Sequence, residues 1–140
     1  MRRWTAAIFI LLVGGVLVAT EVAQREAVPA VFFSVVFLVL AVAVSPRGFP
    51  KSLPAEEAQR RSAEDGRGIV YWRPGCPYCV RLRTSLGRRA RRLHWVDIWA
   101  DPQAAAAVRA LADGNETVPT VVFGAESRVN PAPAWVKAQL

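Results

Sequence analysis

Two apolar stretches near the start of the chain, Thr5 to Thr20 and Ala27 to Val44, constrain the fold more than any other feature. The second runs 18 residues without a charge. At about 1.5 Å per residue, that length crosses a hydrocarbon core roughly 30 Å thick. The first is slightly short, and places Trp4 at the interface with Arg2 and Arg3 outside the core. Between them lies the polar segment Glu21 to Glu26, with a net charge of minus one. The pattern predicts a membrane hairpin of two transmembrane helices, about residues 5–20 and 27–44. Gly14, Gly15 and Ala19 in the first span, with Ala30 and Ser34 in the second, are small residues of the kind that let helices approach closely in lipid.

A secretory signal peptide is the rival reading of the first stretch, since Arg2 and Arg3 make a basic leader and Val18-Ala19-Thr20 is a loose cleavage site. Orientation is the same either way. Arg2 and Arg3 precede the first span, and Arg47 and Lys51 follow the second, so the positive-inside rule places the downstream part in the reducing cytoplasm. The expected location is the cell (inner, cytoplasmic) membrane, multi-pass, with membrane lipid as one partner.

A hydrophobic share of 53% with 21% charged residues is too apolar for a disordered chain. Charge is unevenly spread. Residues 4 to 44 hold only Glu21, Arg25 and Glu26, whereas 15 of the 18 Lys and Arg residues lie from residue 45 onward. The composition therefore describes two joined objects and excludes a single soluble globule. Two Cys and one His also exclude a disulfide framework and a complete four-ligand zinc site. Residues 45–65, rich in proline and mixed charge, read as a linker, with Ala55 to Ala63 as a short solvated helix. Residues 66–140 form a small domain with a limited core.

Within that domain Gly68 to Trp72 is a β-rich run and Arg73-Pro74-Gly75 a turn. A helix opens at Cys76 or Pro77 and ends near Arg92, followed by a strand over Leu93 to Ile98. Asp101 caps a helix through Leu111 that Gly114 stops. Thr120 to Phe123 is a third strand, Gly124 to Ser127 a tight turn, Arg128-Val129 a short fourth strand, and Asn130-Pro131 caps a last helix. The order βαβαββα predicts an α/β domain, a mixed sheet with helices on its faces.

The chemistry is concentrated in Cys76-Pro77-Tyr78-Cys79. Two thiols at i and i+3 at a helix start can close a disulfide within one turn, and the first lies where free N–H groups and the helix dipole favour a thiolate. Arg73 adds positive charge nearby. A lone C-x-x-C is only half a zinc site, and after a strand it reads as a redox motif.

At this point the domain resembles the glutaredoxin branch of the thioredoxin superfamily. The strand running into Cys76-Pro77-Tyr78-Cys79 matches the CPYC site of dithiol glutaredoxins, Thr117-Val118-Pro119 matches the family's TVP motif, and Thr120 to Gly124 matches the strand that follows it. The resemblance implies a thioredoxin fold with four strands, a cis peptide at Pro119, and Cys76 and Cys79 as the catalytic pair. It further implies that Arg73, Pro77, Tyr78, Thr117, Val118 and Pro119 bind substrate, with Val118 holding the cysteinyl backbone by strand-like hydrogen bonds. Glutathione-binding members usually carry a Gly-Gly pair and acidic residues after the last strand, whereas this chain reads Arg128-Val129-Asn130-Pro131-Ala132-Pro133. That ending is similar to the mycoredoxins, which reduce mixed disulfides with mycothiol. Those proteins often have Gly where Pro77 stands, so both thiols stay open.

The implied function is thiol–disulfide oxidoreduction on disulfide-containing proteins, with a low-molecular-weight thiol (mycothiol or glutathione) as co-substrate and no bound cofactor. The alternative is a module in which two copies hold an iron–sulfur cluster through Cys76 and external thiols. The rigid turn at Pro77 disfavours it. Arg88, Arg89, Arg91 and Arg92 complement a helix C-terminus and come without aromatic interleaving, so no nucleic-acid partner is expected. His94 reads as a structural side chain, and Trp72, Trp95, Trp99 and Trp135 as core and rim aromatics.

Overall fold

A computed structural model describes residues 4–140. Arg2 and Arg3, on which part of the orientation reading rests, lie outside the described residues. The apolar stretches form α1 (Thr5–Ala23) and α2 (Ala27–Val44). Both are long and apolar enough to cross a membrane, and only 11% of each is buried. Side chains such as Ile8, Leu12, Val16, Val31, Phe32 and Leu38 stay uncovered. An exposed apolar surface of that extent is unfavourable in water and suits lipid. α1 runs past the expected Thr20 because backbone hydrogen bonding continues after the apolar run ends, with the Gln24 N–H donating to the Thr20 carbonyl. Gly14 and Ala30 are buried between the helices, as expected, and a Cβ on Gly14 would come within 2.5 Å of the Phe37 ring. Gly15 and Ala19 are exposed instead, and the Ser34 hydroxyl donates to Ala30 within its own helix.

The domain is built on β1 (Ile69–Trp72), β2 (His94–Asp97), β3 (Thr120–Phe123) and β4 (Glu126–Val129), in the order β2-β1-β3-β4. β1 pairs parallel with β2 and antiparallel with β3, which pairs antiparallel with β4. All four residues of β1 are buried, so both faces of the sheet are covered. That is why its sequence is continuously apolar. β4 is one of the two edges, and its exposed Glu126 and Arg128 guard it against pairing with another chain. α4 (Pro77–Leu86) contacts α6 (Pro133–Ala138), and α3 (Ala55–Asp65) contacts α5 (Pro102–Leu111). This is the four-stranded mixed sheet of a thioredoxin fold.

Residues 45–65 are packed rather than linker-like. Phe49 stacks on Trp72 with ring centroids 3.9 Å apart, and Ser52 bridges to Trp95 of β2. α3 buries Ala55 and Ala58 in the core. Its charges lie on the other face, where Glu57 pairs with Arg60 and Arg61 at 2.6 Å. The composition resembled a linker because it records the solvent face of a helix whose inner face is only alanine. Asp101 joins this helix to α5: one carboxylate oxygen accepts from Ala55 N–H at 2.6 Å, the other from Gln103 N–H at 2.9 Å.

Within residues 66–140, three elements differ from the sequence reading by more than one residue. α4 stops at Leu86, and Gly87 to Arg92 continue as a 3-10 segment after Gly87 takes a positive φ of 55°. β4 starts at Glu126, since two turn residues suffice after β3. α6 starts at Pro133 behind Ala132, and Asn130 is no cap: its backbone is left-handed, with φ of 47°, and its N–H donates to the Pro119 carbonyl at 2.7 Å. His94 is buried, with Nε2 3.0 Å from Asp65 in the last turn of α3.

Candidate active site

The central strand ends at Trp72 and delivers Arg73-Pro74-Gly75 to the start of α4. Cys76 is the N-cap of that helix and Pro77 its first residue, where a missing N–H costs nothing. Extended backbone at Cys76 (φ −81°, ψ 115°) turns Sγ back over the helix end, and the Cys79 N–H donates to it at 3.4 Å. Cys76 is 6% exposed and Cys79 is fully buried one turn deeper. Only the first thiol therefore meets an incoming disulfide.

The two thiols are opposite in acidity. The Cys76 pKa falls from 9.0 to about 6, chiefly through the hydrogen bond from the Cys79 thiol, and further through the backbone N–H groups of Cys79 and Tyr78 and the charge of Arg73. Burial opposes this and is outweighed. Cys79 is pushed up, first by that same bond with Cys76 and then by burial. At neutral pH the pair is a thiolate at position 76 and a protonated thiol at 79, which can attack only after giving up its proton.

The loop Thr117-Val118-Pro119 forms the facing wall. The Cys76 thiol, when protonated, lies 3.4 Å from the Val118 carbonyl. The Val118–Pro119 peptide is cis. Thr117 is exposed and Val118 buried, while Pro119 is fully buried beneath the wall. Tyr78, 55% exposed, stands beside the thiols on the outside. The structure thus brings together all eight residues singled out in the sequence: six line one cavity of about 860 Å³, and Cys79 and Pro119 lie behind it.

The same cavity is lined by residues that the sequence reading did not select. Trp99 lies on one side, with the Arg73 guanidinium 5.6 Å from its ring centroid, which holds that charge near the site. Asn115 and Glu116 precede the TVP motif and were adjacent in sequence to a recognised feature. Thr5, Ala6 and Phe9 come from the first turns of α1, about 70 residues away in the chain, and no local pattern signals them. Among the described residues no three His, Cys, Asp or Glu side chains gather as a metal site, so a cluster would need thiols from outside the chain.

Comparison with known proteins agrees with this geometry. The glutaredoxin family model matches residues 69–127. Two proteins from strains of Mycobacterium tuberculosis, each named "Putative glutaredoxin", are 40% identical over 72 residues, covering 51% of this chain and 86% of each relative. The matched region holds the thiol pair and the facing loop but leaves out the apolar hairpin. A buried resolving thiol, an activated one at a helix start and this degree of identity lead to one conclusion: the chain belongs to the glutaredoxin family and is a thiol–disulfide oxidoreductase.

Proposed function

We propose that the protein is anchored in a membrane by its hairpin, faces the cytoplasm, and reduces mixed disulfides between proteins and a low-molecular-weight thiol. The observation that carries the redox part is the Cys76 sulfur, held at the start of α4 by the Cys79 N–H and 3.4 Å from Val118. In the first step the Cys76 thiolate attacks the small thiol's sulfur in the mixed disulfide. The substrate's S–S bond breaks, a Cys76–small-thiol disulfide forms, and the protein cysteine leaves as a thiolate that takes a proton from water. In the second step a free small thiol, as its thiolate, attacks that sulfur of the small thiol which is bonded to Cys76. This yields the oxidised small-thiol dimer and restores the Cys76 thiolate, so in net one free small thiol is oxidised into the dimer as the protein cysteine is reduced. Where the substrate is a protein disulfide, Cys76 attacks one of its sulfurs and the other protein cysteine leaves as a thiolate. Cys79 then loses its proton and attacks the Cys76 sulfur of that mixed disulfide, forming the Cys76–Cys79 disulfide and releasing the reduced protein. Two free small thiols reduce the pair again as they become the dimer.

Arg73 stabilises the thiolate, Val118 pairs with the substrate backbone, Thr117 and Tyr78 border the entrance, and Pro77 and Pro119 shape the groove. The missing Gly-Gly-acidic ending after β4 favours mycothiol over glutathione, since the chain there reads Asn130-Pro131-Ala132-Pro133. The test is turnover of one mixed disulfide with each thiol side by side. Mycothiol should give the faster turnover. Equal or faster turnover with glutathione reverses the choice of thiol, and no turnover with either removes the mixed-disulfide reading.

A further inference from the structure

The active-site cavity is walled on one side by a membrane-span candidate. Thr5, Ala6 and Phe9 of α1 line it together with Cys76, Trp99 and Val118. The contact is fixed from two directions. The Gly75 N–H donates to the carbonyl of Val44, the last residue of α2, at 3.1 Å, and the position of a Cβ on Gly75 lies 3.2 Å from the Ala6 methyl. Phe49, stacked on Trp72, holds the connection between hairpin and sheet short and packed. The domain therefore does not hang on a free tether. Trp4 adjoins the lining residue Thr5, and the Arg47 guanidinium lies 5.3 Å from its ring centroid. An aromatic ring and a cation at the ends of two apolar helices mark the head-group level. The thiolate thus opens at the plane of the bilayer surface.

We infer that the substrate disulfide is carried by an integral membrane protein, on a cysteine in the segment where its chain leaves the bilayer. This rests on the membrane-anchored reductase proposed above and names its substrate class. A segment emerging from lipid beside α1 reaches the groove without crossing the head groups, and the exposed ring of Phe9 offers apolar contact to side chains next to its cysteine. A bulky soluble protein has to bring its disulfide up against both α1 and the lipid around it. The redox step is unchanged: Cys76 takes the small thiol from the membrane cysteine, and a free small thiol removes it.

The test uses the full chain reconstituted in vesicles with single-span peptides, each bearing one small-thiol mixed disulfide on a cysteine placed about 3, 10 or 25 residues beyond the span on a flexible tail. All three share the bilayer with the enzyme, so co-localisation cannot order them. The cysteine nearest the membrane should react fastest, with a fall of about tenfold to the farthest as effective concentration at the interface drops. A groove that opened away from the bilayer surface would give the reverse order, because lipid would shield the nearest cysteine. That order, or equal rates, overturns the inference. A soluble mixed disulfide assayed in parallel separates the failures: its reduction without reduction of any peptide rejects the membrane substrate alone, and no reduction of either rejects the reductase reading as well.

Discussion

The N–H of Gly75 donates to the carbonyl of Val44 over 3.1 Å, which ties the residue just before the nucleophile to the end of the second apolar helix. Gly75 has a positive φ of 79°, a backbone region that side chains strain to enter, and its Cα faces Ala6 of α1 at close range. Replacing Gly75 with Val should lower stability by at least about 1–2 kcal/mol from left-handed strain alone. It should also loosen the contact with the hairpin. Urea unfolding of the full chain in detergent checks the first effect, and faster proteolysis between Ser45 and Pro54 checks the second. Wild-type stability and an unchanged cleavage pattern would show that the loop and hairpin are independent.

Phe49 lies 3.9 Å from Trp72 in a stacked pair and meets Trp95 edge-on at 5.6 Å. Truncating a buried aromatic of this kind costs about 3–5 kcal/mol. Phe49→Ala should reach that range, whereas exposed Lys51→Ala, two residues on, should stay within about 0.5 kcal/mol. Thermal unfolding of both variants in the same detergent measures the difference. Similar midpoints for the two would return residues 45–54 to the status of a linker.

These two positions mark what the sequence revealed and what it hid. Cys76-Pro77-Tyr78-Cys79 was legible because strand, turn, helix start and thiol spacing all lie within a dozen residues and act locally. Thr117-Val118-Pro119 was legible only through family resemblance, since nothing nearby in sequence links it to Cys76 across 42 positions. Phe49 was missed because one aromatic among prolines and charges has no period to betray its burial. Ala6 and Phe9 read only as apolar residues within the first span, and their place in the active-site wall depends on how the domain docks, which no local pattern encodes. Asp101 was legible as a helix cap, but its second bond, to Ala55, joins helices 46 positions apart.

The acidity of Cys76 gives a pH dependence with a definite sign. Its pKa in the folded protein is about 6 against an ordinary 9.0, so the thiolate fraction, and with it alkylation by iodoacetamide, should rise through about pH 6 and level off by pH 8. By linkage, the stability this adds to the reduced protein is complete above pH 9.0 and lost as pH falls through about 6. The Cys79 thiol is the largest cause, so Cys79→Ala should move the alkylation midpoint upward, and Arg73→Ala should move it up by less. An unmoved midpoint in Cys79→Ala would mean the helix start alone sets the acidity.

The proposed cytoplasmic orientation rests on the charges of Arg47 and Lys51 after α2 and of Arg2 and Arg3 before α1. A reporter active only outside the cytoplasmic membrane, fused after Leu140, should give no signal, while a reporter active in the cytoplasm should give full signal at the same position. The reverse pattern would place the thiols in an oxidising compartment, where Cys76 and Cys79 would serve disulfide formation instead of reduction.

The two cysteines should separate cleanly by substitution, because burial and hydrogen bonding give them different tasks. Cys76 alone has a sulfur bordering the cavity and the lowered pKa, so Cys76→Ser should abolish turnover of every disulfide. Cys79 is fully buried and its pKa is pushed up, so it acts only on a disulfide already attached to Cys76. Cys79→Ser should therefore keep the attack on mixed disulfides, since a free small thiol can complete that cycle, and should lose the reduction of protein disulfides that require an internal resolver. It should also accumulate a covalent Cys76–substrate adduct, visible by mass on a non-reducing gel and released by added thiol. Retained turnover in Cys76→Ser, or an adduct found on residue 79 of the Cys76→Ser variant, would reverse the assignment of attacker and resolver. The serine at 79 keeps a hydroxyl donor near Cys76, so loss of mixed-disulfide turnover in Cys79→Ser with a normal alkylation midpoint would show that resolution by Cys79 is obligatory for small-thiol substrates too.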